Sequence, residues 1–181
     1  EMKGFLDFDP GSTWISLRDR AIQEFLYGGG LRVSEIEIAD YGDLDLLSGV
    51  IKVRGKRKKE RLVPLGDFAI RAYYHYSRAL ENFLHVDSRT PLFVNRFFHR
   101  LSRRSIQRMI RKSGVQAGLR IGATPHVFRH SFATHLLESG QFQVQEVQEL
   151  LGHKNIQITQ RYLHVMKKKP NPLGWEDMPA T

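Results

Sequence analysis

The chain has 181 residues, 41% of them hydrophobic, and no cysteine, which suits one globular domain and excludes disulfides and thiolate-bound metals. Lys and Arg number 28 against 19 Asp and Glu, for a formal net charge of +9. A small domain this basic is expected to attract polyanions, nucleic acid before anionic membrane, unless the charge serves solubility alone. No apolar run is long enough to cross a bilayer, and the first residues lack the pattern of a signal peptide.

Apolar spacing and helix breakers predict two helices and a hairpin in the first part of the chain. Ser16 is predicted to cap a helix that ends at three consecutive glycines, residues 28–30. Residues 31–47 predict a short helix followed by a turn rich in Gly and Asp. Residues 49–66 place two apolar runs around a basic centre, which predicts a β-hairpin with a basic tip.

The rest of the chain is predicted to be mainly helical. Helices are expected within residues 67–84, 101–119, 124–140, 144–152 and 155–166, with an extended segment at residues 89–95. The predicted fold class is therefore mainly α with a small antiparallel β-sheet, an α+β domain. The basic, proline-rich residues 166–181 are expected to form an irregular tail.

Four groups of polar side chains stand out from this framework. Most of their members are cations or neutral hydrogen-bond donors, and each group lies at a break or on a predicted helix. The groups are Arg32 after the glycines, Lys56 with Lys58 and Lys59 at the hairpin tip, His126 with Arg129 and His130, and His153 with Tyr162.

Each group also has a simpler structural explanation. Arg32 could be a surface charge, although a cation at a helix start opposes the helix dipole and so favours an anionic partner. Hairpin lysines commonly keep a loop soluble, and a tyrosine at helical spacing, such as Tyr162, is most often a packing residue. His126 and His130 have the spacing of a zinc helix, but the glutamate of H-E-x-x-H is missing and Arg129 would repel a cation.

Taken together, the groups suit an anion with several negative oxygens, above all a phosphodiester. In phosphoryl transfer, charge builds up on the phosphate oxygens, and fixed donors stabilise it. A tyrosine can supply the attacking oxygen and form a covalent intermediate, arginines can take the role of a metal ion, and a lysine can protonate the leaving alkoxide. The glycines at residues 28–30 match neither G-x-G-x-x-G nor a Walker motif, which disfavours nucleotide binding.

Four segments, in this order, resemble the motifs of tyrosine recombinases of the Xer type: GLRVSE, VRGKRKKERLVPLG, TPHVFRHSFATHLL and LLGHKNIQITQRYLHV. Their order and spacing match from about Leu17 to Val165. The resemblance implies that Tyr162 is the nucleophile and not a packing residue. The other catalytic residues that it implies are Arg32, Lys56, His126, Arg129 and His153, with Glu35 supporting the site.

The resemblance also implies a mechanism. In the family, the tyrosine attacks a DNA phosphate to give a 3′-phosphotyrosyl link and a free 5′-hydroxyl. A 5′-hydroxyl from a partner strand then attacks that link and reseals the DNA, so neither ATP nor metal is needed. The hairpin lysine is the general acid toward the 5′-oxygen. Here Arg57 replaces the second glycine of the family's hairpin pattern, so Lys58 and Lys59 are further candidates for that role.

The resemblance covers the family's catalytic domain, expected here at residues 1–165, and the chain is expected to lack the N-terminal core-binding domain. The implied partners are double-stranded DNA with specific recombination sites and other protomers, as a tetramer on two DNA sites, with no cofactor and no membrane. The implied location is the bacterial or archaeal cytoplasm, at the nucleoid. The candidate DNA contacts are basic side chains, namely Lys58, Lys59, Arg61, Arg103, Arg104, Arg108 and Arg111.

Two other functions fit the same residues. A type IB topoisomerase uses similar chemistry, but it would relax supercoils at one site instead of exchanging strands between two. A DNA-binding regulator without catalysis would not need the nucleophile, which argues against that function. Chromosome-dimer resolution, phage integration and mobile-element transfer are not distinguished by these residues.

Overall fold

The computed structural model describes residues 12–55, 60–118, 122–152, 158, 160–162 and 164. The elements follow in the order α1 (Trp14–Gly28), α2 (Val33–Ile38), a 3₁₀ turn (Tyr41–Asp43), β1 (Leu44–Asp45), β2 (Val50–Arg54), β3 (Glu60–Pro64), α3 (Asp67–Glu81), α4 (Arg103–Gln116), α5 (Pro125–Glu138) and α6 (Val144–Gly152). Residues 158, 160–162 and 164 are also helical, and the predicted tail at residues 166–181 lies outside the described residues. The predicted fold class is confirmed.

Helix α1 begins three residues earlier than predicted, because Thr13 and not Ser16 caps it. The backbone of Thr13 is extended, and its hydroxyl accepts a hydrogen bond from the backbone N–H of Ser16 at 3.2 Å. Ser16 lies inside the first turn, where its own hydroxyl donates to the Thr13 carbonyl at 2.8 Å. Both residues suit a helix start, so the sequence alone did not distinguish the cap from the residue three positions later.

The sheet is antiparallel and has three strands in the order β1-β2-β3. The predicted hairpin is confirmed as β2 and β3, with Ile51 opposite Val63 and Val53 opposite Arg61. The first strand was predicted as a turn, but Leu44 pairs with Ile51 and adds a short edge to the sheet. Ile51, Val53 and Val63 are buried, so one face of the hairpin packs on the core while the strand residues nearest its tip, Arg54 and Glu60, are exposed.

The main core forms where α1 packs against α3. Ile22 and Phe25 of α1 are fully buried, and the ring of Phe25 lies 5.8 Å from that of Tyr73 and 5.4 Å from that of Phe93. Edge-on and tilted aromatic pairs of this kind add to the energy of burial. This packing fixes α1, and so fixes where its C-terminal end presents the three glycines.

A second, smaller cluster lies at the C-terminal end of the described chain. It joins α5 to α6 and to the helical residues beyond α6, and its buried members are Phe132, Leu136, Phe142, Val147, Leu150 and Tyr162. The candidate nucleophile is therefore part of a hydrophobic cluster that is separate from the main core. Along the described residues, no helix combines the length and apolar character needed to span a membrane.

The turn between α1 and α2 meets this second cluster at Gly30. Gly30 has a positive φ of 57°, which favours glycine. A Cβ atom at this position would lie 2.6 Å from the ring of Phe132 and 2.9 Å from the side chain of Leu151. A glycine is therefore required here for two reasons, backbone conformation and close approach to α5 and α6.

These two reasons can be separated by comparing Gly30 with Gly140, which also has a positive φ. At Gly140 an added Cβ atom would have no described neighbour within 4 Å. We expect Gly140→Ala to lower the free energy of unfolding by about 1–2 kcal/mol, the backbone strain alone. We expect Gly30→Ala to lower it by about 2–5 kcal/mol, because overpacking adds to the strain. Urea unfolding followed by circular dichroism measures both, and equal losses would contradict the close packing at Gly30.

Candidate active site

The site is built around the carboxylate of Glu35, which lies in the first turn of α2 and is 3% exposed. Its Oε2 atom accepts the backbone N–H of Arg32 at 2.8 Å, and its Oε1 atom accepts Arg32 Nη1 at 3.1 Å. The carboxylate thus caps the helix and balances part of the charge of Arg32. This contact accounts for a cation at a helix start, a position where the helix dipole alone would disfavour it.

Arg61 approaches the same carboxylate from β3. Its Nη1 and Nη2 atoms donate to Glu35 Oε1 and Oε2 at 2.6 and 3.1 Å, a bidentate arrangement that is among the strongest in proteins. The guanidinium of Arg61 is thus engaged and its side chain is only 11% exposed, and a DNA contact by Arg61 stays a prediction.

The two arginines determine the charge state of Glu35. Burial alone would raise the pKa of this carboxyl group, but the hydrogen bonds and charges of Arg61 and Arg32 outweigh burial and lower it. The group is therefore ionised at neutral pH, and one negative charge faces two positive ones. The excess is positive, as an anion-binding site requires.

Arg129 brings a third positive charge to this region from the middle of α5. Burial, together with the charges of Arg32 and Arg61, lowers the pKa of Arg129 to about 10, so it remains charged at neutral pH. Its Nη1 atom donates to the carbonyl of Gly30 and its Nη2 atom to the carbonyl of Leu151. These bonds tie α5 both to the glycine turn and to the end of α6.

His126 lies one helical turn before Arg129 and is exposed. The N-terminus of α5 is capped by Thr124, whose hydroxyl accepts the backbone N–H of Val127 at 3.3 Å, so His126 is not needed for that role. Residues three apart share a helix face, which places His126 on the side of α5 that carries Arg129. Within the described ranges, no cluster of three or more His, Cys, Asp or Glu could hold a metal ion.

Tyr162 packs as a core residue in this structure. It is 1% exposed, and its ring lies 6.0 Å from those of Phe132 and Phe142. Its hydroxyl donates a hydrogen bond to the carbonyl of Gly28 at 2.8 Å, and burial raises its pKa. A neutral phenol that donates to a carbonyl is not an activated nucleophile.

The glycine turn nevertheless brings the separate parts of the site together. The Gly28 carbonyl accepts the hydroxyl of Tyr162, and the Gly30 carbonyl accepts the guanidinium of Arg129. Arg32 follows the same turn two residues later. The phenol and both arginines that the sequence predicted as catalytic therefore lie around one short stretch of backbone.

The remaining predicted residues divide into two sets. Lys56, Lys58, Lys59 and His153 lie outside the described residues. The basic side chains of α4 are described and exposed, namely Arg103, Arg104, Arg108 and Arg111. A helix face that presents exposed cations in this number is available for phosphate contacts, and those contacts stay a prediction.

Comparison with known proteins agrees with this arrangement. The family profile of the phage integrase family matches residues 1–169, which is most of the chain. The chain belongs to the phage integrase family. This membership confirms the resemblance drawn from the four sequence segments.

Relatives in this family include named recombinases. The tyrosine recombinase XerC of Pelotomaculum thermopropionicum is 45% identical over 156 residues, which cover 83% of this chain and 51% of that protein. The tyrosine recombinase XerD of Staphylococcus saprophyticus is 43% identical over 153 residues, 84% of this chain and 52% of that protein. The chain thus spans about half the length of the relatives it matches.

Solved structures of recombinases share the fold. The XerA recombinase superposes with a TM-score of 0.72 at 32% identity, covering 90% of this chain and 56% of that one. The XerH site-specific recombinase bound to its difH substrate, in a pre-cleavage complex, superposes with a TM-score of 0.70 at 28% identity, covering 91% of this chain and 48% of that one. The α+β arrangement described above is therefore a catalytic-domain fold of the phage integrase family.

One contact beside the glycine turn was missed by the sequence analysis. The hydroxyl of Tyr27 lies 2.6 Å from Nδ1 of His135 and links the end of α1 to α5. The two residues are 108 positions apart, and no periodicity or motif in this family pattern connects them. Such a pair is found only once the helices are packed.

The ion cluster gives a pH-dependent prediction for Glu35→Gln. Because the folded-state pKa of Glu35 is lowered, its stabilisation is present above the unfolded-state pKa and is lost as the pH falls through the folded-state value. We expect the variant to be about 3 kcal/mol less stable than the parent at neutral pH, with the difference shrinking at acid pH. Urea unfolding at a series of pH values measures it.

Glu81→Gln is the matched control for this measurement. Glu81 forms an exposed ion pair with Arg78 on α3, at 2.8 Å, and pairs of this type contribute less than about 1 kcal/mol. A difference for Glu35→Gln that is as small as that of Glu81→Gln, or that is independent of pH, would contradict a paired, ionised Glu35.

Proposed function

We propose that this chain is the catalytic region of a site-specific DNA recombinase, which cleaves and rejoins DNA through a covalent link between Tyr162 and a 3′-phosphate. The observation that carries the proposal is the glycine turn, whose carbonyls hold the Tyr162 hydroxyl and the Arg129 guanidinium two residues apart. Arg32 follows directly, with Glu35 holding it. A tyrosine and two arginines that meet the same short segment of backbone suit attack on a phosphodiester.

The arginines supply the electrostatic part of the reaction. A guanidinium has five N–H donors, and Arg129 uses one from each terminal nitrogen for the Gly30 and Leu151 carbonyls. Its remaining donors, and those of Arg32, are available for the two non-bridging oxygens of a phosphate. Charge that develops on these oxygens in the transition state is stabilised by such fixed donors, without a metal ion.

Cleavage of the phosphodiester includes two proton transfers. The Tyr162 oxygen gives its proton to a water molecule and attacks phosphorus, the bond to the 5′-oxygen breaks, and the leaving oxygen takes a proton from a general acid. We assign that acid to Lys56, with Lys58 and Lys59 as alternatives, on the resemblance of the hairpin to the family. Resealing reverses the step with a 5′-hydroxyl from a second strand as the nucleophile. His126 and His153 are assigned as further donors to the phosphate.

Cleavage requires Tyr162 to leave the Gly28 carbonyl and the rings of Phe132 and Phe142. Its hydroxyl is buried and protonated in this structure, so the helical segment that carries it has to move before attack. In this conformation its hydroxyl bonds to the Gly28 carbonyl, two residues before the Gly30 carbonyl that accepts Arg129.

The proposed substrate is double-stranded DNA with specific recombination sites. The exposed arginines of α4, namely Arg103, Arg104, Arg108 and Arg111, are proposed to contact phosphates, and such binding weakens steeply as salt concentration rises. The XerH structure in complex with its difH substrate is that of a protein sharing this fold, and supports DNA as the ligand. Strand exchange between two sites further implies four protomers, each supplying one nucleophile.

A nicked suicide DNA substrate tests the proposal directly. We expect the wild-type chain to form a covalent protein–DNA adduct that is visible by denaturing gel electrophoresis and maps to Tyr162. Tyr162→Phe should abolish the adduct, because the attacking oxygen is removed, and should retain salt-sensitive DNA binding.

Tyr74→Phe is the control, since Tyr74 is exposed on α3 and its ring packs edge-on against His75. It should form the adduct as the wild type does. An adduct that persists in Tyr162→Phe, or that maps to another residue, would reject the assignment of the nucleophile.

A further inference from the structure

Arg61 binds Glu35 with both terminal nitrogens, and its side chain is 11% exposed. Two parallel hydrogen bonds between a guanidinium and a carboxylate fix the plane of the carboxylate as well as its position. Arg61 lies on β3 opposite Val53 in the hairpin, so the sheet holds it independently of α2, where Glu35 lies. Arg61 therefore fixes the carboxylate of Glu35 relative to the sheet.

The carboxylate of Glu35 has no acceptor capacity left over. It offers about four lone-pair positions, and Arg61 fills two of them. Arg32 fills the other two, with its backbone N–H on Oε2 and its Nη1 on Oε1. Rotation of the carboxylate would break bonds to both arginines, so the orientation that suits Arg61 is also the one that Arg32 must use.

The guanidinium of Arg32 depends on that orientation. Its side chain is 50% exposed, and among the described residues its guanidinium bonds to Glu35 alone. A half-exposed arginine with one contact has little else to fix it, whereas Arg129 is held by two backbone carbonyls. Of the two candidate catalytic arginines, Arg32 is the one that needs a second residue to hold its place.

The surroundings of Arg61 indicate that its contact with Glu35 decides where its guanidinium lies. Its Nε atom is a buried nitrogen with no hydrogen-bond partner among the described residues, which is unfavourable for a polar group. An arginine placed for its own hydrogen bonding would satisfy that atom. The observed position leaves Nε unpaired and keeps both terminal nitrogens on Glu35.

We propose that Arg61 is a positioning residue. It orients Glu35, and Glu35 in turn places the Arg32 guanidinium so that Arg32 and Arg129 donate hydrogen bonds to the same phosphate. The inference rests on the proposed function of this site. Arg61 itself contacts neither the phosphate nor the DNA in this role, which distinguishes it from the basic residues of α4.

Arg61→Lys tests the inference, because it keeps the charge and removes the two-pronged contact. We expect the rate of adduct formation, measured in a single turnover on nicked suicide DNA, to fall roughly 10- to 100-fold, the loss that follows a small misplacement of a catalytic group. DNA affinity should be unchanged. Arg54→Lys is the matched control, since Arg54 lies on the same hairpin and binds Asp43 at 3.1 Å; its rate should equal that of the wild type.

A double-mutant cycle with Arg32→Lys identifies the route of the effect. If Arg61 acts through Arg32, adding Arg61→Lys to Arg32→Lys should slow the reaction little further. Independent residues would multiply their effects. Arg61→Gln provides a second variant with neutral donors for Glu35, and circular dichroism and urea unfolding establish that each protein is folded under the assay conditions.

The possible outcomes are distinct. Three results would overturn the positioning role while leaving the proposed function intact. Folded Arg61 variants could react at the wild-type rate, or their rate loss could multiply with that of Arg32→Lys. The variants could also lose DNA affinity in proportion to the loss of rate. A wild-type chain that forms no adduct would overturn the proposed function and this inference with it.

Discussion

The turn at residues 28–30 is the constraint on which the rest of the site depends. Its backbone passes so close to Phe132 and Leu151 that Gly30 has no room for a Cβ atom. This approach allows the carbonyls of Gly28 and Gly30 to accept the Tyr162 hydroxyl and the Arg129 guanidinium. Parts of the molecule that are distant in sequence therefore meet at one point, and Arg32 enters α2 from the same turn.

Under the proposed function, Tyr162 has to leave its buried position before it attacks DNA, and this release costs a moderate amount of free energy. Burial of a large apolar side chain is worth about 1.5–3 kcal/mol and its hydrogen bond about 1 kcal/mol. A release energy of this size leaves roughly one molecule in a hundred to one in a thousand with a free phenol. Contacts with DNA can supply that energy, since several phosphate contacts together exceed it. Under the proposed function, the phenol of Tyr162 is therefore expected to stay buried until DNA is bound.

Periodicity and breaker residues predicted the helices and the hairpin, because those patterns depend on nearest neighbours along the chain. They did not identify Thr13 as the cap of α1, since Ser16 suits the same role, and they missed β1, whose pairing of Leu44 with Ile51 depends on the hairpin already being formed. The sequence motifs predicted Arg32, Arg129 and Tyr162 as one site. No pattern in the sequence could show that Tyr162 rests on Gly28, or that Arg61 binds Glu35 rather than solvent, because these contacts exist only between packed elements.

Under the proposed function, the phenol of Tyr162 is buried in the free protein and is released when DNA binds. Incorporation of 3-fluorotyrosine at position 162 and ¹⁹F NMR of the free and DNA-bound chain test it most directly. In the free protein the phenol should ionise well above the pH at which free 3-fluorotyrosine ionises, because burial raises the pKa of Tyr162. Binding of nicked DNA should shift the ¹⁹F resonance. A signal that titrates like free 3-fluorotyrosine in the absence of DNA would contradict the burial of Tyr162, and a signal that does not change when DNA is bound would contradict its release.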